Sequence, residues 1–289
     1  MARTIERAAE FLRTGARILE RRRFSYLFES GPRQAVEDAL RAYSNADGGF
    51  GHGLEPDLRG PESEPIPAWT ALGLLDEIGR ANRANVTPIL RYLRRISSPA
   101  GGVPFVLHDA STYPHAPWWE TRPGTQPPAL NPTAGLCGLL FKNRVADPWL
   151  GKAKRWCWIA LDKAPELGPY DARVVLHFLD HVPERSRAAE TLERLRPSLL
   201  RSDLVDLTSA GKGELFRPLD FAPEPGRLSR DLFSEKMIER NLDAIERAQA
   251  RDGGWDVTFP IWTPITRFEW RGIQTVEMLK VLRLNGRLG

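Results

Sequence analysis

The chain of 289 residues is poor in cysteine, with Cys137 and Cys157 alone, and it has no long apolar run. The two cysteines belong to no CxxC pair or Cys/His cluster, so neither a disulfide framework nor a metal site is expected. Because no apolar run reaches about 18 residues, no transmembrane segment is expected. The N-terminus lacks the apolar block of a signal peptide, which favours a cytoplasmic protein.

Charge and glycine patterns exclude two further classes. The 41 basic and 37 acidic residues are interspersed, without a basic stripe that alternates with aromatics, so no nucleic-acid partner is expected. The glycine doublets follow helical segments rather than strands, which does not fit the nucleotide-binding fingerprints. No cofactor is therefore expected.

Helical spacing of apolar residues runs through almost the whole chain and predicts an all-α fold. A strand pattern is present only in a short piece at 102–107. The ten predicted helical segments are 5–28, 34–44, 68–81, 86–96, 133–145, 148–164, 170–182, 187–200, 236–250 and 273–286.

A repeated turn follows three of these helices. The first copy reads Asp-Gly-Gly-Phe at 47–50, the last reads Asp-Gly-Gly-Trp at 252–255, and a degenerate Ala-Gly-Gly-Val occupies 100–103. In each copy a threonine follows at the start of the next helix, and these threonines are Thr70, Thr133 and Thr275. The spacing from the second glycine to the threonine is 21, 31 and 21 residues. The repeat predicts stacked helical hairpins joined by long Pro/Gly-rich loops. We expect a single α/α-toroid domain over residues 1–289, with about 10–12 helices and a cavity at the N-termini of the inner helices.

The segment Gln249-Ala-Arg-Asp-Gly-Gly-Trp255 resembles the QW motif of squalene–hopene and oxidosqualene cyclases, and the Gly-Gly-aromatic turns of protein prenyltransferase β subunits. The chain is similar to an uncharacterised bacterial branch of that superfamily, and the resemblance implies an α/α toroid. It does not extend to the family's catalytic motifs. There is no DxDD, whose middle aspartate protonates an alkene in class II cyclases; the nearest segment is Glu55-Pro-Asp57. The diphosphate-binding DDxxD is missing too, and Cys137 has no aspartate at the spacing of a prenyltransferase zinc site.

Three carboxylates are the candidate catalytic groups. Glu64 and Glu269 each lie six residues before the threonine of their repeat, Thr70 and Thr275, and would face each other if the ring closes. Two carboxylates in an aromatic cavity have their pKa values pushed apart, and one then acts as an acid. Helix capping explains the same positions equally well. Asp57 is the third candidate.

Aromatic, charged and histidine side chains in three loops are the candidate ligand contacts, because aromatics stabilise cations and stack on sugars. An alternative is that they cap helices and form a lid. The candidate substrate-binding residues are His52, Glu55, Arg59, His115, Trp118, Trp119, Trp262, Trp270 and Arg271.

Three functions are consistent with these residues. The first is a terpenoid-cyclase-like protein that carries out acid-initiated chemistry on an isoprenoid or other hydrophobic small molecule. The second is a carbohydrate-active α/α barrel that uses a carboxylate pair on a sugar-like ligand. The third is a non-catalytic toroid that binds a ligand or partner. Only the first has a motif in its favour.

Overall fold

The computed structural model describes residues 2–122, 124–164, 166–209 and 216–288. Within these ranges the chain forms twelve α-helices and three short 3-10 helices, and it has isolated β-bridges but no strand. The α-helices are α1 (Ala2–Gly15), α2 (Ile18–Phe28), α3 (Arg33–Arg41), α4 (Pro65–Glu77), α5 (Arg83–Ile96), α6 (Leu130–Lys142), α7 (Pro148–Lys163), α8 (Pro169–His181), α9 (Arg185–Leu199), α10 (Pro218–Phe221), α11 (Glu235–Arg247) and α12 (Pro264–Leu284).

The all-α prediction is confirmed, with three main differences in the helices. The short α10 (Pro218–Phe221) is covered by none of the predicted segments. The predicted segment 5–28 is two helices, because the backbone leaves the helical conformation at Arg17. The last helix begins at Pro264, nine residues before the predicted start. Thr263 caps it by accepting a hydrogen bond from Thr266 N (3.2 Å), and proline is well suited to the first helical position. The possible strand at 102–107 is only a bridge between Pro104 and Pro128.

The chain divides into two compact units. The terminal unit comprises Met1–Ala39 and Leu199–Gly289, and the middle unit comprises Leu40–Ser198. A single domain over residues 1–289 remains a prediction, as does the closure of the hairpins into a ring.

The middle unit is organised around α6. This helix is apolar on all faces, and every residue from 131 to 140 is buried. It packs against α4, α7 and most extensively α8. A helix without a polar face must be covered on all sides, so α6 forms the core of the unit. The loops that precede α4 and α6 lie at the N-terminal ends of these core helices.

The terminal unit joins the two ends of the chain. α1 packs on α12, and both contact α2. Gly272 allows this close approach, since a Cβ at that position would lie 3.0 Å from the Ala16 Cβ. The buried Arg23 of α2 pairs with Glu277 of α12. Arg23 and Lys280 hold the pKa of Glu277 below its usual range, against the opposing effect of burial.

The three glycine-doublet turns have the same backbone hydrogen bonds. In the first, Asn45 N donates to Gly49 O (3.0 Å). In the last, Ala250 N donates to Gly254 O (2.8 Å), and the middle turn repeats the bond between residues 98 and 102 (2.9 Å). Both outer turns also have an aspartate contact, in which Asp47 and Asp252 accept from the second glycine N–H at 2.8 and 3.1 Å.

The first glycine of each doublet has a positive φ, between 91° and 101°. It also lies directly on the backbone of a neighbouring helix. A Cβ on Gly48 would overlap the carbonyl of Pro88 in α5, and one on Gly253 would overlap the carbonyl of Arg7 in α1. Gly101 lies in the same way on α7, at Lys152 and Ala153. Both the conformation and the contact therefore require glycine.

Candidate functional site

Two loop segments of the middle unit, 50–64 and 103–121, are joined into one structure that we call the loop cluster. Ala116 N donates to the carbonyl of Asp57 (2.9 Å), and Arg59 N donates to the carbonyl of Pro114 (3.1 Å). An antiparallel bridge between Leu58 and His115 lies between these bonds. The loop cluster thus brings the predicted carboxylate loop and the predicted aromatic insertion together.

Glu64 connects the two segments at the start of α4. It is the residue before the helix, and its backbone N–H donates to Phe50 O (2.9 Å). Its side chain is buried, and Oε2 accepts a hydrogen bond from Leu107 N (2.8 Å). The carboxylate therefore holds the insertion against the entrance of α4 rather than capping its own helix.

The loop cluster buries three carboxyl groups within ten residues of sequence. Glu55, Asp57 and Glu64 have exposed fractions of 8%, 2% and 4%. Removing a carboxyl group from water costs several kcal/mol unless its partners compensate. Concentrations of such groups are more common at functional sites than elsewhere on a protein.

The two adjacent tryptophans of the insertion have different surroundings. Trp119 is buried and stacks in parallel on Phe105, with the ring centroids 4.8 Å apart. Its Nε1 is buried and has no hydrogen-bond partner in the described part of the chain. Trp118 has 45% of its surface exposed. Of the two tryptophans, only Trp119 therefore contributes an aromatic surface to the interior of the loop cluster.

Histidine side chains in the loop cluster contact protein groups. His115 Nδ1 donates to the carbonyl of Tyr113 (2.6 Å), and Nε2 lies 3.0 Å from Glu120 Oε2. These acceptors raise the pKa of His115, the Tyr113 carbonyl most strongly, although burial opposes them. The exposed His52 lies 2.9 Å from Asn45 Oδ1 and has a φ of 56°.

The remaining candidates lie in the terminal unit, where Arg271 is an anchor of the last turn. Its guanidinium makes two hydrogen bonds of 2.8 Å to Asp252 and lies 2.8 Å from Asp256. It also stacks 4.5 Å above the Phe11 ring. Half-buried Trp270 meets Phe259 edge-on at 5.1 Å, and Trp262 is half-buried. Arg271 is thus bound on every side within its own unit.

The predicted equivalence of Glu64 and Glu269 is wrong. Glu64 precedes its helix, whereas half-buried Glu269 is the sixth residue of α12. The hydrogen bonds of two threonines show how the copies of the repeat align. Val103 N donates to Thr133 Oγ1 (3.0 Å), and Trp255 N donates to Thr275 Oγ1 (3.1 Å).

The first copy has alanine at the corresponding place. In the first copy Glu64 N donates to the carbonyl of Phe50, the residue after the glycine doublet. In the middle copy Ala129 N donates in the same way to Val103 O (2.9 Å). Thr133 follows Ala129 by four residues, so its equivalent in the first copy is Ala68, not Thr70. The approach of Glu64 to Glu269 remains a prediction.

Asp171 is a carboxylate that the sequence reasoning missed. It lies in the first turn of α8 and accepts a hydrogen bond from Asn131 N (3.1 Å) at the start of α6. Burial raises its pKa, and the Asn131 N–H opposes this. The only sequence signal was an acidic residue in the first turn of a helix, which the helix dipole also explains.

A groove of about 460 Å³ lies in the terminal unit, beside the Phe11 and Asp252 side chains that contact Arg271. It runs between α1, the last turn and α12. It is lined by Arg7, Glu10, Phe11, Thr14, Gly15, Arg251, Asp252 and Phe268.

No family model matches the chain, and neither does any curated protein. Two solved structures resemble it over 98% of its length. One is a protein from Actinoplanes, 14% identical, with a TM-score of 0.65 over 98% of that chain. The other is the type II terpene cyclase MstE from Scytonema in its apo form, 11% identical, with a TM-score of 0.54 over 88% of that chain.

At these identities the likeness concerns the fold alone. The terpenoid-cyclase-like helical fold implied by the Gln249–Trp255 segment is confirmed. The QW repeat, the kinship with prenyltransferases and the bacterial branch remain predictions. In the described residues, no helix has both the length and the apolar character needed to cross a membrane. They also contain no cluster of three or more His, Cys, Asp or Glu side chains that could hold a metal ion.

Proposed function

We propose that this chain is a terpenoid-cyclase-like protein whose loop cluster binds a hydrophobic small molecule of the isoprenoid type. The observation that carries the proposal is the burial of Glu55, Asp57 and Glu64 in the same loop cluster as the stacked Trp119 and Phe105. An apolar ligand needs an aromatic surface, and a reaction started by acid needs a carboxyl group shielded from water. The fold it shares with a type II terpene cyclase supports the same class.

We assign the acid to Asp57. It is the most deeply buried of the three carboxyl groups and is therefore the best shielded from water. In the reaction, Asp57 would transfer its proton to one carbon of a double bond, leaving a carbocation on the other carbon and a carboxylate on Asp57. Loss of a proton from the cyclised cation would complete the step. The faces of Trp119 and Phe105 would stabilise the cation.

Glu64 has a positioning role in this proposal. Its carboxylate accepts the N–H of Leu107 and so holds the segment that carries Phe105. Replacing Glu64 by Gln keeps one acceptor oxygen and should weaken ligand binding less than removal of the side chain. An effect on turnover without an effect on binding would instead assign Glu64 to the chemistry.

Binding without turnover is a second candidate, because several predicted contacts already have protein partners. Glu64 bonds to the backbone of Leu107, and Arg271 is held by Asp252 and Phe11. A scaffold that needs its polar groups for its own loops can bind a ligand without transforming it.

Titration and product analysis test both candidates. We expect a linear polyprenyl hydrocarbon such as β-farnesene to quench tryptophan fluorescence and an oligosaccharide such as maltopentaose to have no effect. Incubation with the hydrocarbon should give cyclic products by gas chromatography–mass spectrometry. Asp57→Asn should bind the hydrocarbon but form no product. Glu62→Gln is the matched control. Glu62 is exposed in the same loop, and glutamine keeps the acceptor for the hydrogen bond from the Tyr113 hydroxyl (2.7 Å), so the variant should behave as wild type.

Each failure has a separate meaning. Binding without product in the wild type favours the second candidate. Full turnover by Asp57→Asn removes the assignment of the acid. Binding of the oligosaccharide alone contradicts the isoprenoid class and favours the carbohydrate-active alternative.

A further inference from the structure

The N-terminal ends of α6 and α8 meet in the middle unit. Asn131 is the second residue of α6, and its backbone N–H donates to Asp171 Oδ1 in the first turn of α8 (3.1 Å). The two helices pack along each other more extensively than any other pair in the described structure. The backbone of Asn131 and the carboxyl group of Asp171 therefore lie together where two core helices begin.

The side-chain oxygen of Asn131 is a buried hydrogen-bond acceptor. The exposed fraction of the residue is 9%, and its side-chain Oδ1 is buried without a hydrogen-bond partner in the described structure. Leaving a buried acceptor unsatisfied is costly, and native proteins keep few such groups. An acceptor of this kind marks a place where a donor from outside the chain can bind.

Asp171 holds Asn131 in place. Its Oδ1 accepts the Asn131 N–H, and no cation pairs with the carboxyl group within the described ranges. Burial raises the pKa of Asp171, and the Asn131 N–H opposes this.

The pair adjoins the loop cluster. Ala129, two residues before Asn131, donates its N–H to Val103 O (2.9 Å). Phe105, two residues after Val103, carries the stack on Trp119. A ligand lying against these aromatic rings therefore has a polar group of the protein near one end.

We propose that Asn131 and Asp171 form a polar subsite that binds a neutral hydroxyl group of the ligand, an inference that rests on the proposed function. The hydroxyl hydrogen is donated to Asn131 Oδ1, and Asp171 holds Asn131 in place by accepting its backbone N–H. An anion would be repelled by the carboxylate form of Asp171. A cation would be opposed by the positive ends of the α6 and α8 dipoles. The substrate class is thus an isoprenoid that carries a hydroxyl group at one end, and a hydrocarbon of the same skeleton binds through the aromatic surface alone.

A pair of five-carbon fragments tests the subsite directly. The probes are 3-methylbut-2-en-1-ol and 2-methylbut-2-ene, which share the isoprene skeleton and differ in the hydroxymethyl group. The readout is the NMR signal of the Asn131 side-chain amide in the full chain, assigned by its loss in Asn131→Ala. We expect the alcohol to shift this signal and the hydrocarbon to leave it unchanged.

Variants distinguish the subsite from a general apolar effect. Asp171→Asn keeps an acceptor for the Asn131 N–H, so the fold should persist. The new amide N–H2 group lies beside Asn131 and competes with the alcohol for its Oδ1, so we expect the dissociation constant for the alcohol to rise about tenfold, the effect of one hydrogen bond. Asp203→Asn is the matched control. It makes the same exchange at an exposed position of the terminal unit and should leave the constant unchanged.

The outcomes separate this inference from the proposed function. A shift with the alcohol fragment, together with binding of β-farnesene by the loop cluster, supports both. A shift with the fragment but no binding of the long hydrocarbon supports the subsite and contradicts the proposed function. An Asn131 signal that the alcohol does not move, or an equal response to both fragments, overturns the subsite whatever the long ligand does.

Discussion

The Cα of Gly253 lies against the carbonyl oxygen of Arg7, so that the last glycine-doublet turn sits directly on the backbone of α1. We expect Gly253→Ala to lower the free energy of unfolding by roughly 3 kcal/mol. About 1–2 kcal/mol come from the positive φ, and the rest from overlap with the carbonyl. Chemical denaturation measures the change.

A matched control separates these two costs. Gly286 also has a positive φ, of 73°, but a Cβ there would meet nothing within 4 Å. Gly286→Ala should therefore cost only the conformational part, about 1–2 kcal/mol. Equal losses in the two variants would show that the contact with Arg7 does not contribute.

The threonine register gives a second prediction. Thr133→Val and Thr275→Val each remove the buried acceptor of a turn N–H, from Val103 and Trp255, and should lower the free energy of unfolding by about 1–3 kcal/mol. Thr70→Val should cost less than about 0.5 kcal/mol, because Ala68 holds the equivalent place in the first copy. A loss at Thr70 as large as the other two would restore the register expected from counting residues.

The ion pair of the last turn predicts a pH-dependent stability. Arg271 holds the pKa of Asp252 below its usual value of 3.8, although burial opposes it. Because the folded pKa is the lower one, the contribution is present above the unfolded value. It is lost as pH falls through the folded value. The stability difference between wild type and Asp252→Asn should thus shrink as pH is lowered from 6 toward 2.

The size of this effect is modest, since about half of the Asp252 side chain is exposed and water screens the pair. Denaturation across the pH series measures it. Glu190→Gln, at an exposed position of α9, is the control and should show no such trend. A constant difference for Asp252→Asn at all pH values would contradict the prediction.

The contacts of His115 predict a contribution to stability that depends on pH in the opposite direction. The Tyr113 carbonyl and Glu120 raise its folded pKa above the usual 6.5. Its contribution to stability is therefore present below about pH 6.5 and is lost as pH rises through the folded value. NMR titration should give a pKa above 6.5, and Glu120→Gln should lower it. A value at or below 6.5 in the wild type would contradict the assigned contacts.

Most of the helices could be predicted from the regular spacing of apolar residues. α5, α7, α8 and α11 lie close to their predicted positions, because each places its apolar residues on one side or is buried throughout. The turns were predictable for a different reason. Glycine doublets after a helix supply the positive φ that ends a helix and turns the chain, and the aspartates bond to the second glycine.

What the sequence did not reveal depends on contacts distant along the chain. The break at Arg17 is invisible, because the apolar spacing continues through it. The start of α12 was missed because Pro264 suggests a loop until Thr263 is recognised as its cap. Counting residues to a threonine assumed loops of equal length, and this misaligned Glu64 and Glu269. The Asn131–Asp171 contact joins residues 40 apart and has no local pattern.

The central claim is that a hydrophobic ligand binds at the loop cluster, and photoaffinity labelling tests it most directly. The probe is a polyprenol that carries a diazirine, irradiated with the full chain and followed by peptide mapping. We expect cross-links in segments 50–64 and 103–121, and competition by unlabelled β-farnesene. Labelling confined to the groove lined by Arg7, Glu10 and Phe11, or no labelling that β-farnesene displaces, would contradict the account.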